Sequence, residues 1–320
     1  MEVNPTIAVD LGGTNVRVAA VSDEGKIIKK ISEPTAKKGQ SGNVITKQII
    51  RLVETLATNL EIEKIDGIGI SSIGPLDYKK GIVDNAPNVP FKSIPLVHPL
   101  ESFFNCKVIL NNDANAAVLA EKMFGDGSGL ENIVYITIST GIGAGAIVNG
   151  ALLMGKSGNA GEVGHLIVDT RYNFECSCQR GHGHWEGTAS GRNLPRFYNF
   201  WLEKEKGIKG SLISTSEELF KSVSRGDENA LEFLDEIARI NARAISDIIV
   251  ACDPELISLG GSVALNNETL ILDGIKKYVD SYLKTPEIRV TKLGGDIAIL
   301  GAAAPLIQEH RQKIYLQKIA

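Results

Sequence analysis

The stretch Thr6-Ile-Ala-Val-Asp-Leu-Gly-Gly-Thr-Asn-Val-Arg-Val-Ala-Ala-Val21 decides the fold. Residues 6–11 read as a buried strand, Gly12-Gly13-Thr14-Asn15 as a turn, and Val16 to Val21 as a returning strand. The pattern restarts at Ile133: Asn132 to Ser139 is an apolar strand, Thr140-Gly-Ile-Gly-Ala-Gly145 a glycine turn, and Ala146 to Val148 the start of a second return. Two copies of one glycine-tipped hairpin predict two related α/β lobes facing each other across a cleft.

Outward from the hairpins, the spacing predicts a strand around Ile27 to Ile31 and a helix over 43–59. That helix carries Ile45, Ile49, Leu52, Val53 and Leu56 on one face. Strand signals return at 65–71 and 107–110, and Asn111-Asn112-Asp113 caps an alanine-rich helix from Ala114 to Phe124. The second half holds helices at 216–223 and 229–251 and a strand at Leu256–Leu259. Glycine pairs follow at Gly260-Gly261 and Gly294-Gly295. No low-complexity linker intervenes. The expected division is a smaller lobe of residues 1–113 plus 304–320 and a larger lobe of residues 114–303 that includes the cysteine loop.

Composition bounds the function. In 320 residues, 43% are hydrophobic and 22% charged, as in a globular protein and unlike a disordered or collagenous chain. The net charge of -4, from 34 basic and 38 acidic residues, argues against a large nucleic-acid footprint. Four cysteines do not make a disulfide scaffold; Cys106 and Cys252 sit among apolar neighbours like buried thiols, and only Cys176 and Cys178 form a pattern. The N-terminus lacks the features of a signal peptide. The longest apolar run, Ile297 to Ile307, is too short to span a bilayer and contains Gly301 and Pro305. The expectation is a cytoplasmic protein with no membrane or nucleic-acid partner.

Several constellations carry chemistry. In Asp10-Leu-Gly-Gly-Thr-Asn15, glycines let backbone N–H groups approach an anion, Thr14 offers a hydroxyl and Asp10 can hold the water shell of Mg²⁺. The same glycines also suit a plain hairpin tip with positive φ. Asp113 begins a helix, where the helix dipole favours its ionised form and where it can accept a proton from an attacking hydroxyl. It would serve equally as an N-cap. His165, Cys176, Cys178 and His184 offer two imidazoles and two thiolates, a tetrahedral set for structural Zn²⁺, with His182 competing for the last position. Glu162 and Glu186 flank that cluster as acceptors for ligand hydroxyls.

Other matches carry less. Gly150-Ala-Leu-Leu-Met-Gly-Lys-Ser157 fits a phosphate-loop pattern, but the residues after Ser157 are poor helix formers, so the context fails. Asn267-Glu-Thr269 is an acceptor pattern for N-glycosylation without secretory context. Arg311 to Lys318 alternates basic and apolar residues like a solvated helix face.

Together these residues resemble the ROK family of sugar kinases and sugar-responsive repressors, within the sugar-kinase/actin-like ATPase superfamily of ribonuclease-H-like lobes. The resemblance rests on Asp10-Leu-Gly-Gly-Thr14, Asn112-Asp113-Ala-Asn-Ala116, Thr140-Gly-Ile-Gly143, Gly161-Glu-Val-Gly-His165, Cys176-x-Cys178 and Trp185-Glu186. It implies ATP-dependent phosphorylation of a hexose at its 6-hydroxyl, with Asp113 as general base. Gly74, Asn112, Asp113, Glu162, His165 and Glu186 would line the sugar site. Asp10, Gly12, Gly13, Thr14, Asn15, Thr140, Gly141, Gly143, Gly260 and Gly261 would hold ATP and Mg²⁺.

Ser72-Ile-Gly-Pro75 and Ala86-Pro-Asn88 look like glucokinases of the family, with N-acetylmannosamine or N-acetylglucosamine kinases as the alternative. A sugar-sensing regulator is the remoter one, because family repressors carry a helix-turn-helix segment before the first glycine strand, which here starts at residue 6. The family is commonly dimeric or tetrameric. One departure stands out: the usual pattern has glycine after the Cys-x-Cys pair and a third cysteine five residues past the second. Here Gln179 follows, and His184 is the candidate ligand.

Overall fold

The computed structural model of the chain describes residues 5–210 and 212–319, the side chains beyond Gln312 excepted. It divides into two compact units. The first comprises the chain up to Gly129, Met154–Ala160 and the C-terminal segment from Asp296; the second comprises Leu130–Leu153 and Gly161–Gly295.

In the first unit, β1 (Thr6–Leu11), β2 (Asn15–Val21) and β3 (Ile27–Pro34) form an antiparallel meander. Helix α1 (Asn43–Asn59) follows, and all five residues of its expected apolar face are buried. At about 1.5–3 kcal/mol per fully buried aliphatic side chain, that stripe holds the helix in place. Strand β4 (Gly67–Ser72) pairs parallel with β1. The short strands β5 (Leu76–Asp77), β6 (Ile82–Asp84) and β7 (Ser93–Pro95) make a small separate sheet. After α2 (Val97–Phe104), β8 (Lys107–Asn112) completes the order β3-β2-β1-β4-β8 and runs directly into α3 (Asp113–Phe124).

The second unit repeats this plan. Strands β9 (Ile133–Ile138), β10 (Ile142–Val148) and β11 (Ala151–Leu152) form the meander. Helices α4 (Trp185–Ala189), α5 (Leu194–Trp201), α6 (Ser216–Ser224) and α7 (Glu228–Cys252) follow. Strand β12 (Leu256–Gly260) pairs parallel with β9, then come α8 (Gly261–Asn266), α9 (Glu268–Tyr278) and β13 (Glu287–Val290). The order β11-β10-β9-β12-β13 matches that of the first sheet strand for strand. The expected α/β class with two related units is what the chain forms.

Three expectations need correction. Ile142–Gly145 is strand, not turn: Gly143 pairs with Thr137 and Gly145 with Tyr135, so the return begins four residues earlier than Ala146. Cys106 and Cys252 are half-buried, not buried. The expected boundary at residue 113 would split α3 from the first unit, yet α3 belongs to it. The C-terminal helix Ile297–Ile319 crosses α3 so closely that a Cβ at Gly301 would stand 1.7 Å from the carbonyl oxygen of Ala116.

Among the described residues, no helix is long and apolar enough to cross a membrane. Arg311 is exposed and donates to the carbonyl of Asp23. The rest of the basic stretch, to Lys318, has side chains outside the described residues. Asn267 stands between α8 and α9, where its Nδ2 donates to the carbonyl of Val263 at 2.9 Å.

Candidate active site

At the first hairpin tip, neither Gly12 nor Gly13 has positive φ, so turn geometry does not account for them. Close approach does: a Cβ at Gly13 would stand 2.6 Å from the Cβ of Asn88, and one at Gly12 would stand 3.0 Å from the carbonyl oxygen of Asn15. Thr35 secures the tip by donating its hydroxyl to the carbonyl of Gly12 at 2.7 Å and its amide to that of Thr14 at 2.8 Å. Thr14 and Asn15 are left exposed.

Asp10, at the end of β1 and only 8% exposed, is held by Arg17 across the hairpin. The Arg17 Nε donates to its Oδ2 at 2.9 Å, and a second guanidinium nitrogen lies at 2.7 Å. Arg17 also meets Asp296 at 3.2 Å, and Lys30 meets Asp296 at 2.6 Å. Two carboxylates and two cations thus alternate beside the glycine tip.

At the first turn of α3 the roles of two neighbours separate. Asn112 is the N-cap: its Oδ1 accepts from the amide of Asn115 at 2.7 Å. Asp113, one residue later, is exposed, and its Oδ1 accepts from the amide of Ala114 at 2.9 Å. The carboxylate is therefore not needed as a cap, and it sits where the helix dipole favours its charge. Gly74, near the end of β4, has open space around it, with only the amide of Leu76 at 3.9 Å from a would-be Cβ.

In the second unit, the turn Ser139–Gly141 joins β9 to β10, and the amide of Ile142 donates to Glu186 Oε2 at 3.0 Å. A Cβ at Gly141 would lie 2.6 Å from the same oxygen, while Gly143 meets nothing closer than the Thr137 methyl at 3.9 Å. Thr140 is exposed beside this turn. At the end of β12, a Cβ at Gly260 would stand 2.2 Å from the Tyr135 hydroxyl. Gly261, at φ 84°, would place one 2.5 Å from the Ile138 carbonyl oxygen. Both glycines bring backbone, not side chain, to the C-terminal end of β12.

Glu162 and His165, both exposed, bracket a short 3₁₀ turn, Val163–His165. Gly161 and Gly164 lay this segment on β10, with would-be Cβ atoms 2.1 Å and 2.3 Å from the carbonyl oxygens of Ala144 and Ile142. The ligand atoms of His165, Cys176, Cys178 and His184 all lie within 4.8 Å of one another. His165 Nδ1 and His184 Nδ1 are 3.3 Å apart, and Cys178 Sγ is 3.5 Å from the latter. The structure thus groups His184, not His182, with the cysteines.

Burial, with Cys178 alongside, pushes the Cys176 thiol up to about 11. Burial also lowers the His184 pKa, helped by the neighbouring His165 and His182. Two soft sulfur donors and two imidazoles, one of them biased to its neutral form, fit a tetrahedral zinc site.

The ROK family model matches residues 6–309. This chain belongs to the ROK family. A ROK relative, the glucokinase of Pyrobaculum calidifontis, is 37% identical over 300 residues, covering 93% of each chain. Among solved structures, the ROK hexokinase from Thermus thermophilus is similar with a TM-score of 0.81 at 30% identity, over 96% of this chain and 99% of that one. A ROK family glucokinase from Streptomyces griseus, in complex with glucose and AMPPNP, gives a TM-score of 0.75 at 27% identity, over 93% and 98%.

Residues that sequence reasoning passed over also shape these ROK elements. Arg17 neutralises Asp10. Asn193, wholly buried, donates through Nδ2 to Ser177 Oγ, to the carbonyl of Glu186 and to Ser190 Oγ, each at 3.0 Å. It ties the Cys-x-Cys loop to α4. Only the i, i+3 spacing from Ser190 was visible locally.

Proposed function

We propose that the chain is an ATP-dependent sugar kinase that transfers the γ-phosphate to the 6-hydroxyl of a hexose, glucose first. The observation that carries the reading is the exposed Asp113 carboxylate at the start of α3, one residue past the Asn112 N-cap. The glucokinase and hexokinase relatives support the substrate class.

Phosphoryl transfer asks for positioning, charge neutralisation and one proton acceptor. Asp113 accepts the proton of the attacking hydroxyl, while Asn112, Gly74, Glu162, His165 and Glu186 orient the sugar. Gly12, Gly13, Thr14 and Asn15, with Thr140, Gly141, Gly143, Gly260 and Gly261, hold the nucleotide, the glycines letting backbone approach it closely. Asp10, paired with Arg17 beside the tip, would hold the water shell of Mg²⁺, which when bound would neutralise phosphate charge.

His165, Cys176, Cys178 and His184 would hold structural zinc, which when bound would fix the loop between Glu162 and Glu186. Asn193 and the Ile142 amide then orient α4 and its Glu186. Family membership favours a homodimer or homotetramer.

A coupled ADP-release assay with ATP and Mg²⁺, run over glucose, mannose, fructose, N-acetylglucosamine and N-acetylmannosamine, tests the reading beside Asp113→Ala. Turnover on glucose that vanishes in the variant supports it. Preference for N-acetylmannosamine moves the chain to that kinase branch. Background rates on every sugar, with a sugar-induced rise in melting temperature, would replace the kinase by a sugar-binding regulator.

A further inference from the structure

Tyr78 follows β5 and backs onto a distant part of the sequence. A Cβ at Gly158, itself at φ 81°, would stand 2.1 Å from Cε2 of the Tyr78 ring, so only glycine lets the two meet. The Tyr78 hydroxyl is buried, and so is Oδ1 of the wholly buried Asn115. The Asn115 Nδ2 donates to Met154 Sδ at 3.6 Å. Burial pushes the Tyr78 phenol up; the Asn112 backbone and the Asn115 side chain oppose this, and the Asp113 charge adds to it. The hydroxyl therefore faces the first turn of α3.

Met154–Ala160 belongs to the first unit through its contacts, although its sequence neighbours on both sides belong to the second. It is seated at two points, Met154 on Asn115 and Gly158 on Tyr78. Both seats adjoin the turn that carries Asp113. The segment overlaps the rejected phosphate-loop match at residues 154–157; Gly158 lies just past it, and its seat against Tyr78 is what requires a glycine there. From Ala160 the chain runs through Gly161 straight into Glu162.

We propose that Tyr78 is a positioning residue for the sugar: its ring seats Gly158 and so anchors, beside the Asp113 turn, the segment that leads into Glu162. The inference rests on Asp113 and Glu162 serving the sugar site, as proposed above. The ring, not the hydroxyl, does the seating.

The test measures kcat and both KM values for the full chain and for Tyr78→Ala, Gly158→Ala and Tyr78→Phe. The expected result is a sugar KM raised about tenfold in Tyr78→Ala and Gly158→Ala, with kcat and the ATP KM within about threefold of wild type. Tyr78→Phe keeps the ring and restores the sugar KM to within about threefold. An unchanged sugar KM in both disruptive variants, or a parallel loss in all three parameters, overturns the proposal.

Should Tyr78→Ala not fold, Gly158→Ala, in an irregular surface segment, carries the test. The sugar-induced shift in melting temperature is read on the same proteins. A wild type without turnover sinks the kinase reading, whereas a Gly158→Ala protein that responds to sugar like wild type sinks this one.

Discussion

The amide of Ile142 donates to Oε2 of Glu186 at 3.0 Å, so the return strand of the second hairpin and the helix after the cysteine loop share one carboxylate. Gly141 leaves room for it, since a Cβ there would stand 2.6 Å from the same oxygen. Gly141→Ala therefore moves the flexible end of Glu186 and breaks the bond to Ile142. The expected outcome is a loss of about 1 kcal/mol in urea unfolding, together with a raised sugar KM. Unaltered values of both would show that Glu186 has no fixed position to lose.

Asn112 and Asp113 are adjacent but do different work, and two substitutions separate them. Asn112→Ala removes the acceptor for the Asn115 amide and costs about 1 kcal/mol of stability. Asp113→Asn keeps an oxygen that can accept from the Ala114 amide and leaves the Asn112 cap in place, so it changes stability by no more than about 0.5 kcal/mol, yet it lowers kcat by about 10²–10⁴ with the carboxylate as base. Paired denaturation and rate measurements check this; a large stability loss in Asp113→Asn with kcat retained would reverse the assignment.

Local pattern made much of this fold legible. The period of 3.6 in α1 and the apolar run of β1 needed only neighbours in sequence, and both stand as read. Strand β10 was misjudged because glycines at 141, 143 and 145 look like a turn, whereas only pairing with β9 reveals a strand. The Asp113 pair was half legible: the helix start was plain, but which residue caps it depends on a side-chain rotamer. The contacts of Arg17 and Lys30 with Asp296 had no local signal, being 279 and 266 residues apart in sequence. Asn88 against Gly13 is hidden for the same reason.

Asp235 gives the acid limb of stability a identifiable source. Burial pushes its carboxyl up, but hydrogen bonds from Lys277 at 2.7 Å and from the Tyr278 hydroxyl at 2.6 Å outweigh this and hold it below the ordinary value. A depressed folded pKa means stability that is present above the unfolded value of about 3.9 and lost as pH falls through the folded one. The side chain is 36% exposed, so solvent screening limits the contribution to about 1 kcal/mol or less. Asp235→Asn is expected to flatten the pH dependence of stability below about pH 4 while lowering the plateau above it. A parallel shift at all pH values would count against the carboxylate.

Zinc at His165, Cys176, Cys178 and His184 has a direct measurement. Metal analysis of the purified chain is expected to find about one zinc per chain, and chelation to lower the melting temperature, because ligand binding to the folded state alone adds stability. His184→Ala is expected to lose the metal and His182→Ala to keep it, since only His184 joins the grouped donors. Zinc retained by His184→Ala and lost by His182→Ala would transfer the fourth position to His182.

Gln179 stands where the family pattern has glycine, and its φ of 57° explains the pattern. The residue closes a tight turn by donating its amide to the carbonyl of Cys176 at 2.9 Å, a geometry that places its Cβ against its own backbone. A left-handed conformation costs a residue with a Cβ about 1–2 kcal/mol. Glycine would remove that cost but would surrender about 0.5–1 kcal/mol of chain entropy on folding. The difference favours Gln179→Gly by about 0.5–1 kcal/mol, read as a higher urea midpoint at unchanged m value. Zinc content should not change, because the substitution leaves the turn bond and the four donors in place. A destabilised variant would mean that the Gln179 side chain makes contacts worth more than the strain it bears.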